Sequence, residues 1–509
     1  MLGVVVRRCI PGSDLSQSVW DPFFACLPEC RPVASTIMEC VDKDIVVIGG
    51  GPGGYAAAFS VADQGRQAVI VERDPRLGGV CMNRGCIPSK ALLNAVHAIR
   101  AAKESALRGI AFGEPTIDLA RLRQWKNGIL ERLGGGIAGL AKMRGVEVVQ
   151  GTASFVDSKT LQVSSADGSV RHLRFQKAIL ATGSRPLLPK AFDLGSPRIM
   201  TSTEALELPD IPASLLVVGG GYIGMELGTV YATLGSKVTV IEAQEALLAG
   251  ADPDLVRPVG LFARKAFQSV RLKSRVLRME PVADRVRVTS ETEGKTVEEE
   301  YDRVLVSVGR VPNTEGLGLE NTRVERDDRG FVRVDASLQT ADPDILAIGD
   351  VAGGLMLAHK ATWEAKVAAD QICGRTHAGP GAPVIPAVVF TDPEVAWVGL
   401  TEQEASRAGT PVEIAKFPWG ASGRAITLDR IDGLTKLVLE PGSRRILGVG
   451  IVGVGAGELI GEGALAVQTG ATAEQLSQVI HPHPTLSETL LESAEAALGR
   501  ATHIFQRRR

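Results

Sequence analysis

The sequence predicts an α/β protein in which one strand–turn–helix–strand unit occurs twice and an α+β segment closes the chain. Three observations predict it. The first is the stretch 44–72. Asp44 to Ile48 (DIVVI) is a short apolar run suited to a parallel strand buried on both faces. Gly49-Gly50-Gly51-Pro52-Gly53-Gly54 comes next, then an Ala-rich helix from about Tyr55 to Gln64, then Ala68 to Val71 ending at Glu72. The second is the return of that order at Leu215 to Val218, Gly219-Gly220-Gly221-Tyr222-Ile223-Gly224, a helix to about Leu234, and Lys237 to Ile241 ending at Glu242. The third is a change of pattern after residue 387. Short strands at 388–398, 434–440 and 446–452 precede helices near 456–469 and 486–498.

The two glycine turns have one physical reading. The first glycine makes a tight turn, the second lets backbone approach a pyrophosphate, and the third lets helix and strand pack closely. The helix N-terminus then offers unpaired N–H groups and a positive dipole end. In both copies the acid stands 23 residues after the first glycine, placed for ribose hydroxyls. One such turn is weak evidence. Two, each closed by an acid, predict two Rossmann-like dinucleotide-binding domains. Between and after them, Pro-bearing linkers are expected near 186–212 and 375–387. Segments 303–313 and 340–350 each read as a strand with a glycine turn at its end.

A chain of 509 residues is expected to hold roughly three or four domains. With 45% hydrophobic and 22% charged residues it has the composition of a soluble globular protein. The net charge of −2 gives no support to a nucleic-acid partner, and no apolar run reaches the ~18 residues of a membrane span. Of the seven cysteines, four lie in the first 40 residues and only Cys81, Cys86 and Cys373 in the rest. That is no extracellular disulfide framework, so a reducing, cytoplasmic compartment is expected. Residues 1–40 differ in pattern from the rest of the chain and read as a disordered extension, with Met38 as the plausible true start.

The chemistry is concentrated at 78–90, Gly-Gly-Val-Cys81-Met-Asn-Arg-Gly85-Cys86-Ile-Pro88-Ser-Lys90, which leads into a helix expected from Ala91 to about Ser105. Five residues of ideal helix would hold the two cysteine Cα atoms ~8.7 Å apart, whereas a disulfide needs roughly 4.4–6.8 Å. The turn must therefore be distorted, and Gly85 supplies the freedom. Zinc is disfavoured, because no second Cys/His pair of the usual pattern exists. A structural disulfide and a redox-active pair both remain open on spacing alone.

With these residues in view, the chain resembles the pyridine nucleotide–disulfide oxidoreductase family over about residues 41–505, and within it the branch that oxidises dihydrolipoyl groups. The cysteine segment, both glycine turns, Ala181-Thr182-Gly183, Gly349-Asp350, Met356-Leu357-Ala358-His359 and His481-Pro-His483-Pro-Thr-Leu-Ser-Glu488 carry the resemblance. It implies an FAD-binding domain at 41–188, an NAD-binding domain at 189–315, a central segment at 316–384 completing the FAD site, and an interface domain at 385–509 for dimerisation.

The resemblance also implies site residues. Gly49, Gly51, Gly54 and Glu72 would hold the ADP part of FAD. Lys90, Gly151, Thr182, Gly183, Ser184, Asp350, Met356, Leu357, Ala358 and His359 would line the rest. Gly219, Gly221, Tyr222, Ile223, Gly224, Glu226, Glu242, Val276 and Gly309 would hold NAD. Cys86 would sit against the flavin, Cys81 would exchange with a substrate dithiol, and His483, oriented by Glu488, would be the base. In the family that His–Glu pair comes from the second subunit, which implies a homodimer. The implied substrate is the lipoyl-lysine arm on lipoyl domains of a 2-oxo acid dehydrogenase or glycine-cleavage complex, with NAD+ as acceptor.

Some residues carry a second reading. Thr485-Leu-Ser-Glu488 also spells a helix-capping box. Tyr222 is either turn packing or a cover on the nicotinamide pocket. Lys90 and Glu226 are either an ion pair near the flavin or an ordinary solvated helix pair. Functional alternatives are a mercuric- or glutathione-reductase-like enzyme, or a flavin-binding redox sensor or assembly subunit without turnover. Against the first, mercuric-reductase-like chains end in a cysteine pair, and the last cysteine here is Cys373. Against the second, Glu242-Ala-Gln-Glu245 stands where NADP users favour basic residues.

Overall fold

The computed structural model describes residues 40–375 and 383–505, so the extension expected at residues 1–40 lies outside the described residues except for Cys40. The first unit is β1 (Cys40–Ile48), α1 (Pro52–Asp63) and β2 (Ala68–Glu72), with Ile45 opposite Ala68 and Ile48 opposite Val71 in parallel register. Ile45, Val46, Val47 and Ile70 are fully buried, as a strand covered on both faces requires. The chain continues through α2 (Gly79–Arg84), α3 (Cys86–Ser105), α4 (Leu119–Met143) and β3 (Glu147–Gln150), which extends the sheet beyond β2. A meander of β4 (Thr152–Asp157), β5 (Thr160–Ser164) and β6 (Val170–Leu180) returns to lie parallel to β1 on its other side.

The stretch 186–212, expected as a linker, is built. After β7 (Ser184–Pro186) it holds β8 (Ile199–Met200) and α5 (Ser202–Glu207), whose start is a capping box of Thr201 and Glu204. The prolines flank these pieces, and Met200, Ala205 and Leu208 are fully buried. Short apolar pieces between prolines give too little periodicity to read.

The second unit is β9 (Ser214–Val218), α6 (Tyr222–Leu234) and β10 (Lys237–Ile241), and the chain then forms α7 (Pro253–Ala266) and β11 (Ser269–Arg271). An antiparallel meander of β12 (Ser274–Val282), β13 (Arg285–Thr292) and β14 (Lys295–Tyr301) leads into β15 (Arg303–Val306). The parallel sheet runs β11-β10-β9-β15-β8. The chain returns to the first sheet through β16 (Arg310–Pro312), antiparallel to β7, and β17 (Ile345–Ala347), parallel to β6. α8 (Ala358–Ile372) then packs on α1.

The last body is β18 (Ala387–Val389), β19 (Glu394–Gly399), α9 (Glu402–Ala408), β20 (Glu413–Pro418), α10 (Gly423–Leu428), β21 (Leu434–Leu439), β22 (Ile446–Gly453), α11 (Ala456–Thr469), α12 (Ala473–Leu476) and α13 (Glu488–Ala497). Its antiparallel sheet runs β18-β19-β22-β21-β20. Trp419 fills its core, and a Cβ at Gly433 or Gly453 would come within 2.2 or 2.4 Å of that ring. This body is joined to the second unit by a shared apolar cluster containing Leu255, Val389, Val395 and Val452. A buried ion pair, Lys436 to Asp252 at 2.6 Å, joins them again.

Candidate active site

The two glycine turns are the same structure twice. Gly49 has φ +102°, and a Cβ there would lie 2.4 Å from the Ala181 carbonyl oxygen; Gly219 has φ +106° and meets Ser307 O at 2.5 Å. A Cβ at Gly54 would lie 1.8 Å from Gly49 O, and one at Gly224 2.1 Å from Gly219 O. At the middle positions the space is open. A Cβ at Gly221 would meet nothing within 4 Å, and one at Gly51 only Gly79 Cα at 3.8 Å. An open face over a helix N-terminus is what a pyrophosphate needs, so both turns fit a dinucleotide.

The acids are seated alike. Glu72 accepts from Gly50 N at 2.6 Å and Asp74 N at 2.8 Å; Glu242 accepts from Gly220 N at 2.6 Å and Gln244 N at 2.7 Å. Each oxygen keeps a lone pair for a ribose hydroxyl.

A cavity of about 310 Å³ touches both the first turn and the cysteine pair. Its lining includes Gly49, Gly51, Glu72, Cys81, Cys86, Lys90, Gly151, Thr182, Gly183, Ser184, Tyr222, Ile223, Glu226, Asp350, Met356 and Ala358. Gly54 is packed behind the turn. Leu357 is the N-cap of α8, and His359 instead bonds Pro386 O at 2.7 Å. Gly219, Gly221, Gly224, Glu242, Val276, Gly309, His483 and Glu488 lie outside this cavity. Val276 sits at the bulge of β12, half-buried against the core of the second unit.

The structure adds Arg310, to which no sequence motif pointed. Its Nε donates to Ser184 Oγ at 2.7 Å and its Nη2 to Ser184 O at 2.9 Å, while Ser184 Oγ donates to Asp350.

The helix expected from Ala91 begins at Cys86. Pro88 falls in its first turn, where the missing N–H costs nothing. Gly85, at φ −147° and ψ −111°, separates α2 from α3, so Cys86 opens α3 while Cys81 lies within the short α2 that precedes it. Both are thiols here, and Cys81 and Cys86 are hydrogen-bonded to each other. That bond pushes Cys86 down to about 7, against the opposing effect of burial and with help from the Lys90 ammonium. The same bond, with burial, pushes Cys81 well up. The pair therefore ionises as one Cys86 thiolate beside one protonated Cys81.

Lys90 and Glu226 form an ion pair, with Nζ 3.0 and 2.8 Å from the two oxygens. Glu226 is 3% exposed and also accepts from Ser89 Oγ at 2.7 Å and Phe390 N at 3.0 Å. Neither Ser89 nor Phe390 was visible as a partner in the sequence, because the contact joins three distant segments. Tyr222, 42% exposed at the start of α6, faces the cavity, and burial pushes its phenol up.

His483 Nδ1 lies 2.9 Å from Glu488 Oε1. Glu488 Oε2 accepts from Thr485 N at 2.8 Å, but the helix begins at Glu488 with Ser487 as its N-cap and no side-chain cap bond, so the capping box expected from Thr485 does not form. Burial pushes Glu488 up, but the Thr485 amide and His483 outweigh it and hold the carboxyl below its usual range. The His483 side chain is 73% exposed.

Residues 43–365 match the family model described as pyridine nucleotide-disulphide oxidoreductase, and residues 385–494 match that family's dimerisation domain. Dihydrolipoyl dehydrogenase of Vibrio cholerae is 45% identical, the alignment covering 91% of this chain and 97% of the relative. That of Geobacillus stearothermophilus is 44% identical over 91% and 98%. Among solved structures, LpdA from Mycobacterium tuberculosis superposes with a TM-score of 0.82 at 28% identity, covering 89% of this chain and 99% of that one. The flavoprotein disulfide reductase RclA from Escherichia coli gives 0.79 at 27%, with the same coverage.

Proposed function

Because the chain belongs to the pyridine nucleotide-disulphide oxidoreductase family, whose members use FAD and NAD(H), we propose that it oxidises dihydrolipoyl groups with NAD+ through a Cys81–Cys86 disulfide. The observation that carries this is the hydrogen-bonded cysteine pair opening into the cavity it shares with the first glycine turn. Gly49, Gly51, Glu72, Lys90, Gly151, the 182–184 turn, Asp350 and Met356 would hold FAD, which when bound supplies a two-electron relay between the dithiol and NAD+. Gly219, Gly221, Gly224 and Glu242 would hold NAD+. Residues 41–188 and 316–384 are our assignment for the FAD part, 189–315 for the NAD part and 385–509 for the interface.

In the oxidised enzyme His483 takes the proton of one substrate thiol. The thiolate attacks Cys81, forming a mixed disulfide and releasing Cys86 as thiolate. The second substrate thiol attacks the substrate sulfur of the mixed disulfide and closes the lipoyl ring, and its proton passes to the departing Cys81 sulfur, which is freed as a thiol while His483 keeps the first proton. Lys90 compensates the charge left on Cys86. Glu488 holds the His483 ring and offsets its positive charge.

The dimerisation domain supports a homodimer. An exposed His483 that does not line its own chain's cysteine cavity fits a base donated to the partner subunit. The remaining readings are a lipoyl domain as partner and the cytoplasm as location. No helix among the described residues is long and apolar enough to cross a membrane.

A mixed dimer of His483→Gln and Cys81→Ser subunits tests the shared site. One of its two sites pairs native cysteines with a native histidine, so it should show about half the wild-type rate with free dihydrolipoamide, while each parent homodimer is crippled by about a hundredfold or more. A mixed dimer as inactive as its parents would overturn the shared site.

A further inference from the structure

The Lys90–Glu226 pair is held by more than its own charge. Glu226 accepts four hydrogen bonds, two on each oxygen. Oε1 takes Lys90 Nζ and Phe390 N, and Oε2 takes Lys90 Nζ and Ser89 Oγ. Those bonds use the carboxylate's whole accepting capacity and leave it no free rotation. Lys90 Nζ is then flanked by the Phe390 ring, 4.5 Å from its centroid, in cation–π range. Phe390 belongs to the C-terminal body, Lys90 to α3 and Glu226 to α6, so three segments meet on one ammonium.

The loop that brings Phe390 there is itself fastened. Asp392 binds Arg100 Nη1 of α3 at 2.5 Å and also binds Arg430, with His97 4.0 Å away. Thr391 Oγ1 donates to Pro393 O at 2.8 Å, and Glu394 accepts from Gly457 N at 2.9 Å.

We propose that Phe390 is a positioning residue for the redox centre: its ring and backbone amide hold the Lys90–Glu226 pair so that the ammonium stays against Cys86. This rests on the reading of Cys86 as the flavin-facing thiol. The charged and titratable groups that face Cys86 are Cys81 from α2, Lys90 from α3, and Glu226 and Tyr222 from α6. Cys81 and Lys90 favour its thiolate, and Glu226 opposes it. A loosened Lys90 leaves Glu226 less compensated, so both changes act in one direction.

The test uses holoenzyme carrying Cys81→Ser, in which Cys86 is the remaining thiol of the pair. The pH midpoint of Cys86 is read from its alkylation rate by iodoacetamide, located by mass spectrometry, and from the long-wavelength thiolate–flavin absorbance. Adding Phe390→Leu keeps the amide and removes the ring, and should raise the midpoint by about half a unit. Phe390→Tyr should restore the parent midpoint. Ser89→Ala, which strips one donor from Glu226, should shift it the same way by less, and serves if Phe390→Leu folds poorly. An unchanged midpoint in Phe390→Leu, or a Tyr variant shifted as far as Leu, would overturn the proposal. Absence of the absorbance band from the Cys81→Ser parent would instead sink the assignment of Cys86 to the flavin, and the alkylation midpoints would still judge Phe390.

Discussion

Replacing Glu242 by Gln should shift the nicotinamide preference of this protein from NAD toward NADP without touching its flavin. In the native chain the carboxylate is fixed by two amides, Gly220 N at 2.6 Å and Gln244 N at 2.7 Å, so it has nowhere to retreat from a 2′-phosphate. Unit charges ~4 Å apart at an effective dielectric near 20 repel by about 4 kcal/mol, roughly a thousandfold in affinity. Gln removes that repulsion. It also turns an NH2 group toward one of the two amides and loses charge-assisted bonds worth about 1.5–3 kcal/mol each. NADH binding should therefore weaken by about ten- to a hundredfold. The ratio of kcat/KM for NADH over NADPH should fall by about a thousandfold or more when both terms are counted. The assay is NADH or NADPH oxidation by ferricyanide, which needs neither the cysteines nor His483, with the flavin spectrum as a control. A ratio within threefold of wild type in Glu242→Gln, or equal efficiency with both dinucleotides in the native protein, would refute the reasoning.

The same geometry sets further outcomes. Cys81→Ser keeps a hydroxyl donor for Cys86 and Cys81→Ala removes it, so Cys86 alkylation at pH 7 should be about tenfold slower in the Ala variant; equal rates would deny the thiol–thiol bond its role. The linkage has a definite sign. Cys86 is held below its ordinary value and Cys81 above it, so the reduced pair should add stability as pH rises from about 7 to 9 and lose it at higher pH; a melting temperature of the reduced protein, relative to the oxidised, that falls between 7 and 9 would contradict this. Gly54→Ala puts a methyl 1.8 Å from Gly49 O, so the purified variant should lack flavin absorbance; full flavin content would show that the turn can shift. Asp252→Ala leaves the Lys436 ammonium, 1% exposed, short of its nearest counter-charge and should cost about 3 kcal/mol, read as a lowered unfolding midpoint with flavin retained; an unchanged midpoint would mean that Asp254 and Glu402 suffice.

What the sequence revealed was what depends on local backbone geometry. Both glycine turns, their acids, the break at Gly85 and the helix at 456–469 are set by residues adjacent in the chain, and they stand where periodicity and turn chemistry put them. The pieces it did not reveal are those whose reason lies elsewhere in the fold. β8 and α5 are too short to show a period, and are held by the core of the second unit. The meander β12–β14 buries only single apolar residues, Met279, Val286, Val288 and Tyr301, between charged and polar neighbours, and Arg287 and Glu300 pair across it. Arg310, Ser89 and Phe390 reach the site through contacts spanning more than a hundred residues, to which no local pattern points.

The duplication also explains where the chemistry sits. The two copies are offset by 170 residues, and the correspondence runs past the acids. Leu77 and Leu247 both pack where a Cβ at Gly50 or Gly220 would stand, 2.5 Å away in each case. Gly78 N then bonds Gly50 O at 2.7 Å, and Leu248 N bonds Gly220 O at 3.0 Å. Beyond that bond the copies part. The first continues into α2 and places Cys81 and Cys86 at the cavity; the second places Ala251 and Val256 at the corresponding positions and begins α7. There Asp252 accepts from Glu402 N and Gln403 N, both at 3.0 Å, and takes Lys436, fastening the second unit to the C-terminal body. One frame thus delivers two different things from the same exit point, a redox pair in one copy and an anchor in the other. An anchored second unit keeps α6 at a fixed distance from α3. That matters because Glu226 and Tyr222 on α6 must meet Lys90 and Cys86 on α3 for the cavity to have its present wall.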